Sequence, residues 1–269
     1  DGTPFAVGTP ILLGHSPARK KLVLNILVDA LPWNVVREHF AAWMPSIARF
    51  FARGTIFDQH FSTSEYTYPA LPAIETGRYA HHTQLFQADA SHELSRAFLT
   101  LGECMKDLGY YTAAPILTTD SIYNGTMRGY DRLISKPGGD GLHAYHGVHN
   151  ALTQMRAFAE CDQFIFLHVE DAHPSTTARW QVPLETQVSL RLADRLDDTD
   201  DDTPSVDRVN SRLHLEAVLE GMRRADRSLG ELFAYIEENY AEDEYVVQLY
   251  SDHGAAVFGE VVDYVSENL

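Results

Sequence analysis

The sequence predicts an α/β protein with a mostly parallel central sheet and helices on both faces. Short apolar runs recur along the chain, and continuous apolarity is typical of strands that are buried on both faces of a sheet. Segments with helical spacing separate these runs, and strands that alternate with helices favour a parallel sheet. The runs that predict strands are 22–28, 111–114, 164–169 and 245–250.

Four segments show the spacing of amphipathic helices. They are 44–53, 95–108, 148–159 and 212–238. Gly109 follows the second of them, and glycine commonly ends helices because it adopts left-handed backbone angles without strain. The last segment carries the clearest apolar stripe, formed by Leu215, Val218, Leu219, Met222, Leu229, Leu232, Phe233 and Ile236.

The composition excludes several classes of protein. A chain of 269 residues is long enough to bury a large core. Its 21 Lys+Arg and 38 Asp+Glu give a net charge of −17, so bulk charge will not attract nucleic acid or an anionic membrane. The two cysteines, Cys104 and Cys161, exclude a disulfide scaffold and a multi-cysteine zinc site. The redox compartment and the localisation stay open.

Two segments are expected to lie outside the packed domain. Residues 1–19 are rich in Gly and Pro and predict an arm or linker before a domain at 20–269. The stretch 194–207 contains seven Asp, which indicates a solvated acidic insertion at about 185–208. The chain starts without Met and stops soon after a β-prone run, so we expect a domain that is truncated at its C-terminus.

Acidic residues and histidines follow three of the predicted strands. Asp29 follows the first, Asp171 and His173 follow the run 164–169, and Asp252 and His253 follow the last. Ligands collect at the carboxyl ends of parallel strands, where rigid strands hold distant residues together. Each residue alone also fits a cap, a turn or a structural histidine. Together, carboxylate oxygens and imidazole nitrogens favour Zn²⁺ or Mn²⁺ over Ca²⁺.

The segment 62–79 carries the most specific motif. Thr67 and Pro69 precede Thr76-Gly77-Arg78, and this spacing resembles the sulfatase branch of the alkaline phosphatase superfamily. That branch has a Cys or Ser nucleophile, then x-Pro-x-x, and later Thr-Gly-Arg. Other family-like segments occur in the family's order at 45–57, 129–131, 167–174, 224–232 and 251–254. The resemblance extends from residue 22 to residue 259 and implies an alkaline phosphatase-like three-layer sandwich with a catalytic domain at 20–269.

The resemblance implies a role for each matching position. Asp29, Asp252 and His253 would bind a divalent cation together with the Thr67 hydroxyl. The cation would convert that hydroxyl into an alkoxide-like nucleophile. His173 would contact the substrate oxyanion or protonate the leaving oxygen.

Some assignments keep two alternatives. Asp171 would hold a second cation or would orient His173. Arg78 and His82 would bind the substrate, although Arg78 also suits a structural ion pair and His82 also suits an exposed surface. Thr67 also suits the N-cap of a helix.

The chain departs from sulfatases that depend on formylglycine. Thr67 stands where those enzymes form formylglycine, and Leu71 replaces the motif's Arg. Ala30 replaces the second residue of their Asp pair, and 115–120 replaces a segment whose Lys and His hold sulfate. No formylglycine is therefore expected. The pattern is closer to lipoteichoic acid synthases, phosphoethanolamine transferases and phosphodiesterases.

We therefore expect a metal-dependent hydrolase or transferase that acts on phosphate or sulfate esters. Zn²⁺ or Mn²⁺ is the favoured ion, with Ca²⁺ or Mg²⁺ as alternatives. The expected substrate is a small molecule or a phosphate or sulfate ester linked to a lipid or glycan. The lost Lys and Arg leave an alternative, a non-catalytic module that keeps the sulfatase-like fold. The oligomeric state stays open.

Overall fold

A parallel five-stranded sheet forms the centre of the protein. The computed structural model describes residues 10–86, 92–116, 124–135, 143–174, 182–195 and 212–254. The sheet has the order β3-β2-β4-β1-β5, and each neighbouring pair is parallel. The strands are β1 (Leu22–Val28), β2 (Tyr111–Ile116), β3 (Arg132–Ser135), β4 (Gln163–Val169) and β5 (Tyr245–Tyr250). This confirms the predicted mostly parallel α/β class.

Helices connect the strands in the described parts of the chain. In chain order they are α1 (Trp33–Val36), α2 (Phe40–Trp43), α3 (Pro45–Phe50), α4 (Thr67–Thr76), α5 (Ala80–Thr83), α6 (Leu101–Asp107), α7 (Ala144–Ala157), α8 (Leu184–Ser189), α9 (Leu192–Arg195) and α10 (Arg212–Asn239). A 3₁₀ turn, Phe51–Arg53, follows α3. Among the described residues, no helix combines the length and the apolarity needed to cross a membrane.

The two faces of the sheet carry separate apolar cores. Successive side chains of a strand point to opposite faces. In β4, Ile165 and Leu167 therefore pack in the core that α7 and α10 complete, whereas Phe164 and Phe166 pack in the core of α4 and α6. Helices on both faces were predicted from the alternation of strands and helices, and this arrangement confirms them.

Several boundaries differ from the predicted ones because of hydrogen bonds. Helix α6 begins at Leu101 rather than 95, because Thr100 and Glu103 form a capping box there. Helix α7 begins at Ala144, where the Asp171 carboxylate accepts a hydrogen bond from the Ala144 amide.

The described end of the predicted arm is anchored, since the Asp162 carboxylate forms hydrogen bonds with His15 and Arg19. Most of the acidic stretch 194–207, from 196 onward, lies outside the described residues.

A buried acid links α4 to the predicted 129–131 motif. Glu75 is 2% exposed, its Oε1 accepts a hydrogen bond of 2.9 Å from the Tyr130 hydroxyl, and its Oε2 accepts one from the Gly102 amide. Burial raises the pKa of Glu75 to about 7 from an ordinary 4.5, against the lowering effect of these hydrogen bonds. The folded protein therefore holds this proton more tightly than the unfolded chain does.

We expect Glu75→Gln to gain stability relative to the wild type as the pH rises from 5 to 8. A raised carboxyl pKa stabilises the fold fully below the unfolded pKa, and this stability is lost as the pH rises through 7. A neutral Gln avoids that loss, so the difference in unfolding free energy should change by about 3 kcal/mol. Urea denaturation at several pH values measures it. The exposed control Glu238→Gln should show no such trend, and a pH-independent difference for Glu75→Gln would contradict the prediction.

Candidate active site and metal centre

Polar side chains from three adjacent strands meet at the carboxyl edge of the sheet. Asp29 follows β1, His173 follows β4, and Asp252 and His253 follow β5. Strand β1 lies between β4 and β5 in the sheet, so the three loops that follow these strands are neighbours. The sequence predicted these residues at one edge, and the structure brings them together.

Asp29 is the centre of this cluster. Its carboxyl group is buried, with 1% of the residue exposed. Oδ2 lies 3.0 Å from His168 Nε2, whereas Oδ1 lies 3.3 Å from His253 Nε2 and 3.9 Å from His173 Nε2. The two oxygens of one carboxylate therefore face different imidazoles.

The hydroxyl of Thr67 points into the same cluster. Thr67 Oγ1 lies 3.3 Å from Asp29 Oδ2 and 3.2 Å from His253 Nε2. Thr67 is the first residue of α4 and Tyr66 occupies the N-cap position, without a side-chain capping hydrogen bond. The alternative in which Thr67 is the N-cap is therefore wrong by one residue, because Tyr66 occupies that position. The Thr67 hydroxyl points into the cluster and does not cap the helix.

The two oxygens of Asp252 have different surroundings. Oδ1 accepts hydrogen bonds from the Ala30 amide at 3.3 Å and the His253 amide at 3.0 Å. Oδ2 is buried and has no hydrogen-bond partner among the described residues, and the nearest ionisable nitrogen, His253 Nε2, lies 3.6 Å away. A buried carboxylate oxygen without a hydrogen bond is costly in a protein interior. A bound cation would satisfy it, so the residues present fit a metal ion.

A tight turn fixes the relative positions of these loops. Ala30 has a φ of 58°, a left-handed conformation that is uncommon for residues other than glycine. The turn directs the Ala30 amide at Asp252 and the Leu31 amide at Ser251 Oγ, 2.9 Å away. Ser251 Oγ in turn donates to the His253 carbonyl at 2.6 Å. The loop after β1 thereby holds the loop after β5 in place.

Burial and crowding of charge perturb the titration of the cluster. Burial alone would raise the pKa of Asp29, but hydrogen bonds from His168 and His253 outweigh it and hold that pKa well below its usual range. Burial lowers the pKa of His253, yet the hydrogen bond to Asp29 and the charges of both aspartates raise it to about 9. Burial, then the charge of Asp29, raises the pKa of Asp252. Burial lowers the pKa of His173, which keeps its imidazole neutral at pH 7.

A third carboxyl group lies close to these charges. Glu170 is 7% exposed at the end of β4. Burial, followed by the charges of Asp29, Asp171 and Asp252, raises the pKa of Glu170 to about 9. The edge of the sheet therefore concentrates carboxyl groups in a buried place, and a divalent cation there would favour their charged forms.

Two overlapping groups of side chains could hold a metal ion. One is Asp29, His173 and His253, and the other is Asp29, His168 and Asp252, with the donor atoms of each group within 4.8 Å of one another. His168 is the site residue that sequence analysis missed. It lies inside the apolar run 164–169. The sequence pattern that could have identified it is a polar residue on the same strand face as Phe164 and Phe166.

Asp171 is engaged elsewhere. Its carboxylate accepts a 2.5 Å hydrogen bond from the Ala144 amide at the start of α7 and lies 3.6 Å from Arg224 Nε and 3.7 Å from His143 Nδ1. It belongs to neither group of possible metal ligands. This geometry ties the loop before His173 to α7 and α10.

Arg78 and His82 lie on the exposed segment after α4. Gly77 ends α4 in a left-handed conformation, and the Arg78 amide donates to Thr76 Oγ1 at 3.2 Å. The His82 ring lies 4.0 Å from the ring of His81. Within the described residues neither side chain is bonded to the Asp29 cluster, so their contact with a substrate stays a prediction. Of the segment 115–120, residues 117–120 lie outside the described part of the chain.

Comparison with known proteins covers nearly the whole chain. The family model described as Sulfatase matches residues 21–267. A search of curated proteins returned no match.

Solved structures share the fold at low sequence identity. A protein of the alkaline phosphatase superfamily from Vibrio parahaemolyticus is 16% identical, with a TM-score of 0.60 over 90% of this chain and 56% of that one. The lipoteichoic acid synthase from Listeria monocytogenes is 14% identical, with a TM-score of 0.59 over 88% and 57%. The phosphonate monoester hydrolase from Silicibacter pomeroyi is 16% identical, with a TM-score of 0.60 over 86% and 62%. This chain thus spans 56–62% of their lengths, and the likeness confirms the predicted alkaline phosphatase-like sandwich.

Proposed function

The chain belongs to the sulfatase family, and on that premise we propose that it hydrolyses or transfers a phosphate or sulfate ester group through a metal-activated Thr67 nucleophile. One observation carries the proposal. The Thr67 hydroxyl lies 3.3 Å from Asp29 and 3.2 Å from His253, at the start of α4 and at the edge where ligands gather in α/β sheets.

Asp29, Asp252 and His253 would hold the cation together with Thr67. Two carboxylates and an imidazole favour Zn²⁺ or Mn²⁺, and the free Oδ2 of Asp252 supplies a ready ligand. When bound, the cation supplies a Lewis acid that offsets the charge developing on the ester oxygens. The start of α4 adds to this effect, since a helix N-terminus favours anions.

Each protein group then has a defined task. Thr67 Oγ1 forms a bond to phosphorus or sulfur while the bond to the leaving oxygen breaks. His173, neutral at pH 7 because burial lowers its pKa, would donate a hydrogen bond from its ring N–H to an oxygen of the ester. Delivery of a proton to the leaving oxygen would require the imidazolium form of His173, which the negative charge of a bound ester favours. Water or an acceptor alcohol then takes the group from Thr67 and restores its hydroxyl. Arg78 and His82 would contact the remainder of the substrate.

Phosphate esters are the preferred substrates within this proposal. Thr67 occupies the nucleophile position, and a threonine offers a plain hydroxyl rather than formylglycine. Two of the similar structures are named as a lipoteichoic acid synthase and a phosphonate monoester hydrolase, and both names refer to phosphorus chemistry. A small phosphodiester, or one linked to a lipid or glycan, would suit this site.

Removal of metal should abolish the activity, and its return should restore it. The full chain is treated with a chelator and assayed on phosphodiester, phosphomonoester and sulfate-ester substrates, before and after Mn²⁺ or Zn²⁺ is added. We expect turnover of at least one phosphate ester to fall about 10³-fold without metal. Activity that withstands complete metal removal would contradict the mechanism. A chain that neither binds metal nor turns over any ester would be the non-catalytic module that the sequence left as an alternative.

A further inference from the structure

We propose that a rim of exposed aromatic side chains beside Thr67 binds an uncharged, apolar organic group of the ester substrate. The aromatic rim consists of Phe57, Phe61, Tyr66, Tyr79 and Phe86. The inference rests on the proposed function, because it names the class of alcohol that the ester contains. It selects an alkyl or aryl alcohol over a glycan, and a soluble ester molecule over a membrane surface.

The aromatic rim holds most of the exposed aromatic surface of the described residues. In that part of the chain, the largely exposed Phe, Tyr and Trp side chains are the five of the rim and Tyr145. The rim residues expose between 41% and 76% of their surface. Large rings are mostly buried in folded proteins, and an exposed apolar patch commonly marks a ligand-binding groove or an interface. All five rings fall within residues 57–86, which include the candidate nucleophile.

One part of the aromatic rim lies at the start of α4. Tyr66 is the N-cap residue directly before Thr67. Its hydroxyl donates a hydrogen bond to the Phe86 carbonyl, so the chain after α5 returns to the end of α4 that carries Thr67. Tyr79 directly precedes α5, and its ring stacks on the ring of His81 with centroids 5.9 Å apart. An apolar group on an ester at Thr67 therefore has ring surface within reach.

The other part of the aromatic rim is joined to the loops that follow β1 and β5. Ser62 Oγ donates a hydrogen bond to the Asp252 carbonyl, and Phe61 directly precedes Ser62. Trp33 Nε1 donates a hydrogen bond of 3.2 Å to Asp58 Oδ1, and Trp33 begins the helix after β1. The rim thus has members on two segments of the chain, and both segments are attached to the candidate active site.

The chemistry of the aromatic rim favours an apolar group over a polyanion or a glycan. The segments 57–66 and 79–86 contain no Lys or Arg, whereas several such cations would be needed to hold a polyanion. Arg78 adjoins the second segment, and a single cation suits one ester group. The phenylalanines offer no hydrogen-bonding atoms, and the Tyr66 hydroxyl is already bonded within the protein. Glycan hydroxyls would lose water at these rings without gaining partners, whereas an alkyl or aryl group gains from leaving water.

Binding of alkylphosphonates tests the inference without turnover. These probes carry an anionic head group but no ester bond, and methyl-, butyl- and octylphosphonate differ only in apolar length. The full chain is titrated with each probe by calorimetry in the presence of Mn²⁺. We expect the affinity to rise about 10- to 100-fold from methyl- to octylphosphonate, because each CH₂ group that the rim buries contributes about 2- to 4-fold. The heat capacity of binding should become more negative along the series, and phenylphosphonate should also bind more tightly than methylphosphonate.

Substitutions in the aromatic rim should reduce this preference. Phe61→Ala and Phe86→Ala should each lower the ratio of octyl- to methylphosphonate affinity by about 5- to 10-fold. Leu108→Ala is the matched control, because Leu108 is similarly exposed at the end of α6, near the start of β2 and at the opposite edge of the sheet. It should keep the wild-type ratio. Circular dichroism checks the fold of each variant.

The possible outcomes separate this inference from the proposed function. Equal affinity for all probes, or binding of none, would overturn the rim as a binding site, while turnover of an ester would leave the proposed function standing. A preference for octylphosphonate that Phe61→Ala reduces, without turnover of any ester, would overturn the proposed function and leave the rim. An unchanged preference in both rim variants would overturn the placement.

Two other occupants of the aromatic rim would give different results. A dimer that Phe61→Ala dissociates, measured by analytical ultracentrifugation, would show that a second copy of the chain covers the rim and would overturn the inference. Binding to phosphatidylcholine vesicles, without preference among the soluble probes, would assign the rim to a membrane surface and would also overturn it.

Discussion

Thr67→Ala should lower kcat/KM for the best ester substrate by about 10³-fold or more. The substitution removes the only atom of that side chain that can form a bond to phosphorus or sulfur. It also removes an oxygen that lies within 3.5 Å of Asp29 and His253. Steady-state kinetics on the substrate found in the ester panel measures the effect, and circular dichroism checks the fold.

Two further variants distinguish loss of the nucleophile from a general disturbance of the structure around the site. Thr67→Ser keeps the hydroxyl and should retain most of the activity. Thr63→Ala changes an exposed threonine in the preceding segment and should match the wild type. Unchanged turnover in Thr67→Ala, with the metal still bound, would refute the nucleophile assignment.

Gly221→Ala should destabilise the fold by about 3 kcal/mol and reduce activity as well. Gly221 lies in α10 directly against the loop that follows β4. A Cβ atom at this position would lie 1.8 Å from the Asp171 carbonyl oxygen. Because the contact is with backbone, either the helix or the loop must move, and that loop carries His173. Urea denaturation and kcat/KM measure the two effects.

Gly230→Ala, in the same helix, is the matched control. Its Cβ would lie 2.9 Å from Ser46 Oγ, which can rotate away, and 3.0 Å from Ser46 Cβ, which a shift of a few tenths of an ångström would relieve. Alanine also favours a helix over glycine by about 1 kcal/mol. We expect a much smaller change in stability than for Gly221→Ala. Equal losses in the two variants would show that contact with the loop is not the cause.

The sequence predicted four of the five strands. Apolar runs identified β1, β2 and β4, whose side chains are buried on both faces, and also β5, a partly exposed edge strand. Strand β3, Arg132–Ser135, was not predicted because it is a short, half-buried edge strand without an apolar run. Its identity as a strand depends on pairing with β2, which local sequence does not encode.

The residues that follow the strands could be predicted because they have metal-binding side chains and because a parallel sheet brings the ends of its strands together. Asp29, Asp252 and His253 follow apolar runs, and parallel strands bring such ends to one edge. His168 was missed because a single histidine in a buried run resembles a core residue. The surroundings of Asp171 were not predictable either, since they depend on how α7 and α10 pack against the loop.

The central position of β1 has a consequence for how the protein folds. Residue 22 pairs with residue 163 on one side and with residue 245 on the other, so the candidate site requires contacts between opposite ends of the chain. Chains dominated by such distant pairings close long loops before they gain contacts, and they fold slowly. The candidate metal ligands therefore come together only once these distant pairings have formed. A cation that binds only the assembled site would stabilise the native state by an amount that grows with the logarithm of the free metal concentration above its dissociation constant.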